Sequence, residues 1–275
     1  MITKNVELVD HYSKLKGGKL RMLLSENPWD SGHTDWIRPA VIVVPGGGYH
    51  FVSRREAEPV ASHFYAAGYQ VFMLEYLCRP QGVSYPEQLL ELSCAMDYVK
   101  RNAQEFFVNK DEVFVVGFSA GGHLVADLCN EYAEVPSLYG DKLDCKPTGA
   151  ALCYPVTESN SGTFENLTFN LSDERRAELK TKLDLSSRVT SATPPTFIWT
   201  TAEDDLVPVH NSLYYALALD KAKVPFELHV YPHGRHGLAT GMREINEREE
   251  PCLNDVFHWL GDCARFFRFF CKERG

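Results

Sequence analysis

Apolar residues fall in two rhythms that alternate along most of this chain. Residues 40–44 form an unbroken apolar run, β-branched from Val41 to Val44, of the kind that suits a strand buried on both faces, and residues 69–76, 113–118, 148–154, 195–200 and 226–231 read as further strands. Between them lie stretches with helical spacing. Ala57, Val60, Ala61 and Phe64 mark one over residues 54–67, stopped by Gly68, and Leu89, Leu92, Ala95, Met96 and Val99 mark a second opened by Tyr85-Pro86. Leu124, Val125 and Leu128 mark a third over residues 120–130, and residues 209–222 form a fourth. Strands that alternate with helices in this way predict an α/β chain with a mostly parallel sheet covered on both faces.

Four stretches depart from the rhythm. Residues 6–9 and 19–24 are expected to be two strands turning at Gly17-Gly18, followed by a polar loop over residues 25–38 that carries Pro28 and Gly32. Asn109-Lys110-Asp111 is expected to turn the chain into the next strand. Residues 157–193 begin in a polar loop at 158–162, include a predicted helix at 173–183 and end at Thr193-Pro194-Pro195. They read as an insertion in a single domain spanning 1–275, placed either to cover the site or as a surface excursion. A last helix is expected from about Pro251 to Cys271. Its aromatic residues Phe257, Trp259, Phe266, Phe267, Phe269 and Phe270 either pack on the sheet or form part of a subunit contact.

A chain of 275 residues with 44% hydrophobic and 24% charged residues can bury a full core as one domain. Its net charge of −9 is not organised around any basic run, so a nucleic-acid partner is not expected. The first ten residues carry no signal-like apolar segment, and no apolar run approaches the roughly 18 residues that a membrane span needs. The expectation is an unexported, cytoplasmic protein with no membrane partner. Eight cysteines without a C-x-x-C pair fit that expectation as buried free thiols rather than disulfides.

The chemistry-bearing residues stand at the ends of the predicted strands. Gly117-x-Ser119-x-Gly121 follows the strand at 113–118 and opens a helix, which is the strand-turn-helix context in which a nucleophilic serine is thrown clear of a sheet. Pro45-Gly46-Gly47-Gly48-Tyr49 follows the strand at 40–44 and reads as an oxyanion hole, a phosphate cradle or a tight turn. The nucleotide-binding glycine spacings are absent. As an oxyanion hole, the loop would present the N–H groups of Gly47 and Gly48 opposite that of Ala120. A serine hydroxyl needs a base, and the base needs an acid to hold its tautomer. Asp204 or Asp205 follows one strand, and His236, with His233 as a rival, follows another. His229, His233 and His236 lack the supporting motif that a zinc site would need, so neither metal nor cofactor is expected. His123, one turn after Ser119, reads as a packed core histidine.

The order Ser119, Asp204, His236, with the elbow, Asp204-x-x-Val207-Pro208 and Gly234-x-His236-Gly237, resembles the α/β-hydrolase esterases. The glycine loop with Arg55-Glu56-Ala57-Glu58-Pro59-Val60 resembles the branch that includes acetyl xylan esterases and feruloyl-esterase-like proteins. The likeness runs from Ala40 to Ala239, and Pro45 stands where the hormone-sensitive-lipase branch carries His. The resemblance implies the α/β-hydrolase fold and favours Asp204 as the acid, because its acid lies four residues before the proline. It also implies a serine esterase that removes acyl groups, foremost acetyl, from sugars or oligosaccharides through a Ser-His-Asp triad and an acyl-enzyme. A prolyl-oligopeptidase-like peptidase and a non-catalytic binding protein are the competing readings.

Overall fold

Side chains of successive strand residues point to opposite faces of a sheet, and here both faces are apolar because both are covered. The computed structural model describes residues 1–28, 36–159, 161–246 and 252–272, so Gly32, Asn160 and Pro251 lie outside the described residues. In chain order the elements are β1 Ile2–Glu7, β2 Lys19–Leu24, β3 Arg38–Val44, α1 Glu58–Ala66, β4 Gln70–Glu75, α2 Glu87–Arg101 and β5 Val108–Phe118. They continue with α3 Ala120–Glu131, α4 Val135–Tyr139, β6 Ala150–Cys153, α5 Gly162–Leu167, α6 Asp173–Lys182 and β7 Thr196–Thr201. The described chain closes with α7 His210–Ala222, β8 Phe226–Tyr231, α8 Leu253–Val256 and α9 Trp259–Arg268.

The strands form one eight-stranded sheet in the order β1-β2-β4-β3-β5-β6-β7-β8, antiparallel where β2 meets β1 and β4, and parallel from β4 to β8. This is the α/β-hydrolase fold. Ala40, Ile42 and Val44 of β3 share one core with α2, α3 and α7, whereas Val41 and Val43 share the other with α1, α8 and α9. On the second face Phe267 stacks on Phe114 with ring centroids 4.4 Å apart, and Trp259 stacks on Trp199 at 5.4 Å. The last helical segment therefore packs on the sheet.

Three expectations are corrected. The first strand runs from Ile2 to Glu7 rather than over residues 6–9, because Leu8 leaves it in a 3₁₀ turn to enter the core, its N–H bonded to Gly18 O at 2.8 Å. Residues 109–111 do not turn but continue β5 as a bulge. Arg38 pairs with Val108 and Ala40 with Val113, so the extra residues swell out of register while the strand goes on. The last helix is two helices divided at Phe257 and His258.

Parallel pairing sets the functional groups in a row. Val44 is level with Gly117, Gly117 with Leu152, Cys153 with Trp199 and Thr200 with Val230. The loops that leave β3, β5, β6, β7 and β8 therefore gather at one edge, the carboxyl ends of the strands, where open α/β sheets hold their ligands.

Candidate active site

Ser119 sits between β5 and α3 with φ 51° and ψ −116°, a conformation that L side chains rarely adopt. The turn is forced by close approach. A Cβ at Gly121 would lie 2.2 Å from Val44 O, so only glycine lets α3 start this near β3. The elbow is pinned on both sides, with Ser119 N donating to Cys153 O at 3.0 Å and Val156 N donating to Ser119 O at 3.2 Å.

His236 lies on the loop after β8 and bridges the other two side chains. Its Nε2 is 2.9 Å from Ser119 Oγ, and its Nδ1 is 2.7 Å from Asp204 Oδ2. A carboxylate can only accept, so Nδ1 carries the proton and Nε2 is free to accept from the serine hydroxyl. Asp204 is held from its other side, its Oδ1 accepting from Leu206 N at 3.0 Å and Val207 N at 2.8 Å. The side chain of Asp204 is 0% exposed and that of His236 13%, so the pair is shielded while the ring keeps an open edge.

The neighbours that competed for these roles go elsewhere. Asp205 is exposed, and among the described residues its Oδ1 makes only a long 3.5 Å contact with His236 N. His233 is exposed and bonds Glu203 at 3.0 Å, while His229 bonds Glu227 at 2.8 Å. His123 is buried with its Nδ1 3.0 Å from Tyr49 Oη, and burial lowers its pKa to about 4.

The glycine loop lies against the serine, since a Cβ at Gly46 would come 3.0 Å from Ser119 Cβ. Gly47 and Gly48 have φ of 123° and 61°, and a Cβ at Gly47 would meet Phe51 O at 2.0 Å. The loop folds on itself through His50 N and Phe51 N to Gly47 O, leaving the N–H groups of Gly47 and Gly48 without an acceptor among the described residues. Ala120 opens α3, where helical N–H groups have no intrahelical partner.

Two ties to this loop escaped the sequence reading. Glu56 Oε2 accepts from Gly46 N at 2.8 Å, and Asn166 Nδ2 of α5 donates to Gly48 O at 2.8 Å. Asn166 Oδ1 in turn accepts from Arg79 at 2.9 Å, so one end of the 157–193 segment leans on the glycine loop. For the first, the available signal was Glu56 as one letter of the Arg55-Glu56-Ala57-Glu58-Pro59-Val60 motif, in the 3₁₀ turn just before α1. Nothing local marked the second.

Residues 92–265, which carry the elbow, Asp204 and His236, match the family described as the prolyl oligopeptidase family. The chain belongs to the prolyl oligopeptidase family of α/β hydrolases. Residues 31–138, which carry the glycine loop and the elbow, also match the family described as BD-FAE. Among solved structures, a sugar hydrolase from Lactococcus lactis is 33% identical with a TM-score of 0.78, and 98% of each chain is covered. An acetyl ester-xyloside bifunctional hydrolase from Caldicellulosiruptor lactoaceticus is 29% identical with a TM-score of 0.80, covering 97% of this chain and 96% of that one. Among curated relatives, endo-1,4-beta-xylanase B of Butyrivibrio fibrisolvens is 34% identical over 78% of this chain. Acetylxylan esterase of Xylanibacter ruminicola is 29% identical over 88%. The chain spans 34% of the first of these relatives and 48% of the second.

Proposed function

We propose that this chain is a serine carboxylic-ester hydrolase that removes acyl groups, foremost acetyl, from sugars or oligosaccharides. The observation that carries the reading is the bridge made by His236, 2.9 Å from Ser119 Oγ and 2.7 Å from the buried Asp204. Ser119 Oγ attacks the acyl carbonyl while His236 Nε2 takes its proton, and Asp204 holds the ring and stabilises the imidazolium. The oxyanion forms against the N–H groups of Gly47, Gly48 and Ala120. His236 returns the proton to the leaving alcohol, and water then repeats the attack on the acyl-enzyme. The sugar ester is favoured by the relatives, whose names include an acetylxylan esterase and an acetyl ester-xyloside hydrolase.

The family match favours a second reading, a serine peptidase that would use the same triad. One experiment separates the two. Wild type and Ser119→Ala are assayed on 4-nitrophenyl acetate, acetylated xylo-oligosaccharides and aminoacyl or prolyl anilides. Serine-dependent release of acetate from the oligosaccharides supports the esterase. Anilide cleavage without sugar-ester turnover supports the peptidase, and no Ser119-dependent turnover on any substrate refutes both.

A cytoplasmic location belongs to the same proposal. None of the eight cysteines forms a disulfide among the described residues, and seven are buried. Burial pushes the thiols up, to about 12 at Cys78 and about 11 at Cys145, which suits chains kept reduced. No helix among the described residues is long and apolar enough to cross a membrane.

A further inference from the structure

We propose that Glu56, seconded by Arg55, is a positioning residue that holds the glycine loop and the histidine loop in register across Ser119. The inference rests on the acyl-transfer reading of that serine.

Glu56 is 5% exposed, and its two oxygens serve different parts of the site. Oε2 accepts from Gly46 N at 2.8 Å, at the root of the glycine loop, and Oε1 accepts from Tyr154 Oη at 2.8 Å. Tyr154 follows β6, and its Oη accepts from Ala239 N at 3.0 Å, three residues beyond His236. The Tyr154 ring also meets the His236 ring nearly edge-on, with centroids 5.0 Å apart and planes at 71°. One carboxylate thus ties the root of the glycine loop on one side, through Tyr154, to the loop that carries His236 on the other.

Arg55 makes the same connection from outside. Its guanidinium donates to Gly237 O at 3.1 Å, Ile245 O at 2.9 Å and Asn246 Oδ1 at 2.8 Å, and Asn246 Nδ2 donates to Leu238 O at 3.1 Å. The bonds to Gly237 and Ile245 are solvent-exposed and that to Asn246 is only part-buried, so Arg55 is the weaker partner.

Backbone strain marks the segments being held. Six non-glycine residues among those described have positive φ; three of them, Tyr49, Tyr154 and Ala239, lie in the segments that this network joins, and a fourth is Ser119 between them. Such conformations persist only where the surroundings over-determine them. A buried carboxylate is itself costly, and no cation pairs with Glu56 among the described residues. Stability alone would be served as well by an apolar side chain, whereas joining an amide to a phenol requires an acceptor at both ends.

The test compares Glu56→Gln, Tyr154→Phe, the double variant, Arg55→Ala and Ser119→Ala in the full chain. Steady-state kinetics on 4-nitrophenyl acetate, thermal midpoints and inhibition by an alkyl boronic acid that mimics the tetrahedral adduct are measured for each. Misplacing reacting groups by a fraction of an ångström to an ångström costs up to about a hundredfold, so Glu56→Gln and Tyr154→Phe should each lower kcat about ten- to a hundredfold with KM changed less than about twofold. The boronate should weaken in step with kcat. Because the two side chains act as one link, the double variant should be no worse than the poorer single one. Arg55→Ala should lose less than either. If Glu56→Gln does not fold, Tyr154→Phe, which keeps the ring and its packing, carries the test alone. A folded Tyr154→Phe protein with wild-type kcat and boronate affinity overturns the inference, as do losses that appear only in thermal midpoint or KM. Turnover that survives in Ser119→Ala overturns instead the acyl-transfer reading.

Discussion

Two histidines lie within reach of the elbow serine, one behind it and one in front, and their surroundings differ in a way that separates packing from chemistry. His123 follows Ser119 on α3, its N–H bonded to Ser119 O at 3.0 Å, and its ring is 1% exposed against the Tyr49 hydroxyl. In that region burial keeps His123 and Asp127 neutral. It lowers His123 to about 4 and, with the nearby Glu131 adding to it, raises Asp127 to about 8. In front, the equally buried Asp204 has three N–H donors, from Leu206, Val207 and His236. Burial is common to both regions. What sets His236 apart is an aimed carboxylate on one nitrogen and a hydroxyl on the other.

Exchanging the histidines should therefore give opposite results. His236→Gln should lower kcat/KM about 10⁴- to 10⁶-fold, as removal of a triad base does elsewhere, while His123→Gln should stay within about threefold on 4-nitrophenyl acetate. Comparable losses in both would mean that the back region takes part in the reaction and would dissolve the contrast.

A finer cut falls within the front region, between two adjacent carboxylates. Asp204→Asn leaves the shape but loses the acceptor that fixes the Nδ1–H tautomer, and the expected loss in kcat is about 10³- to 10⁴-fold. Asp205→Asn, which changes an exposed side chain with one long contact, should cost less than about threefold. Equal kcat values for the two variants would refute Asp204 as the orienting acid.

The parts of this site that were legible in the sequence are those in which geometry dictates residue type. Gly121 must be glycine because Val44 O would otherwise lie 2.2 Å from a side chain, and the unbroken apolar runs report strands covered on both faces. Asp204 and Asp205 are chemically identical on paper. What divides them is that the turn after β7 buries the first and exposes the second, and the sequence separated them only through a family pattern. Glu56 was visible only as one letter of a motif, because its partner Tyr154 is 98 positions away and the pairing exists only once β6 lies beside β5. The six-residue α5 escaped for a simpler reason, since so short a helix completes fewer than two turns and cannot declare a period.

The smallest expected effect concerns stability rather than turnover and returns to the back of the elbow. In the unfolded chain an imidazole begins to protonate near 6.5, whereas folded His123 resists until about 4. Between those values the unfolded state binds more protons. This contribution to stability is therefore whole above pH 6.5 and declines as the pH falls toward 4, by up to about 2 to 3 kcal/mol. Asp127 works the other way, because its folded carboxyl holds a proton up to about 8 while the unfolded one releases it near 3.8, so its contribution is lost as the pH rises through that window. Urea unfolding of wild type, His123→Gln and Asp127→Asn at pH 7.5, 6.0 and 4.5 separates the two. Relative to wild type, His123→Gln should gain stability on going from pH 7.5 to 4.5, and Asp127→Asn should gain on going from 4.5 to 7.5. A difference between wild type and His123→Gln that does not change with pH would show that the ring titrates normally, and the back of the elbow would then not be the charge-excluding region that sets it apart from the front.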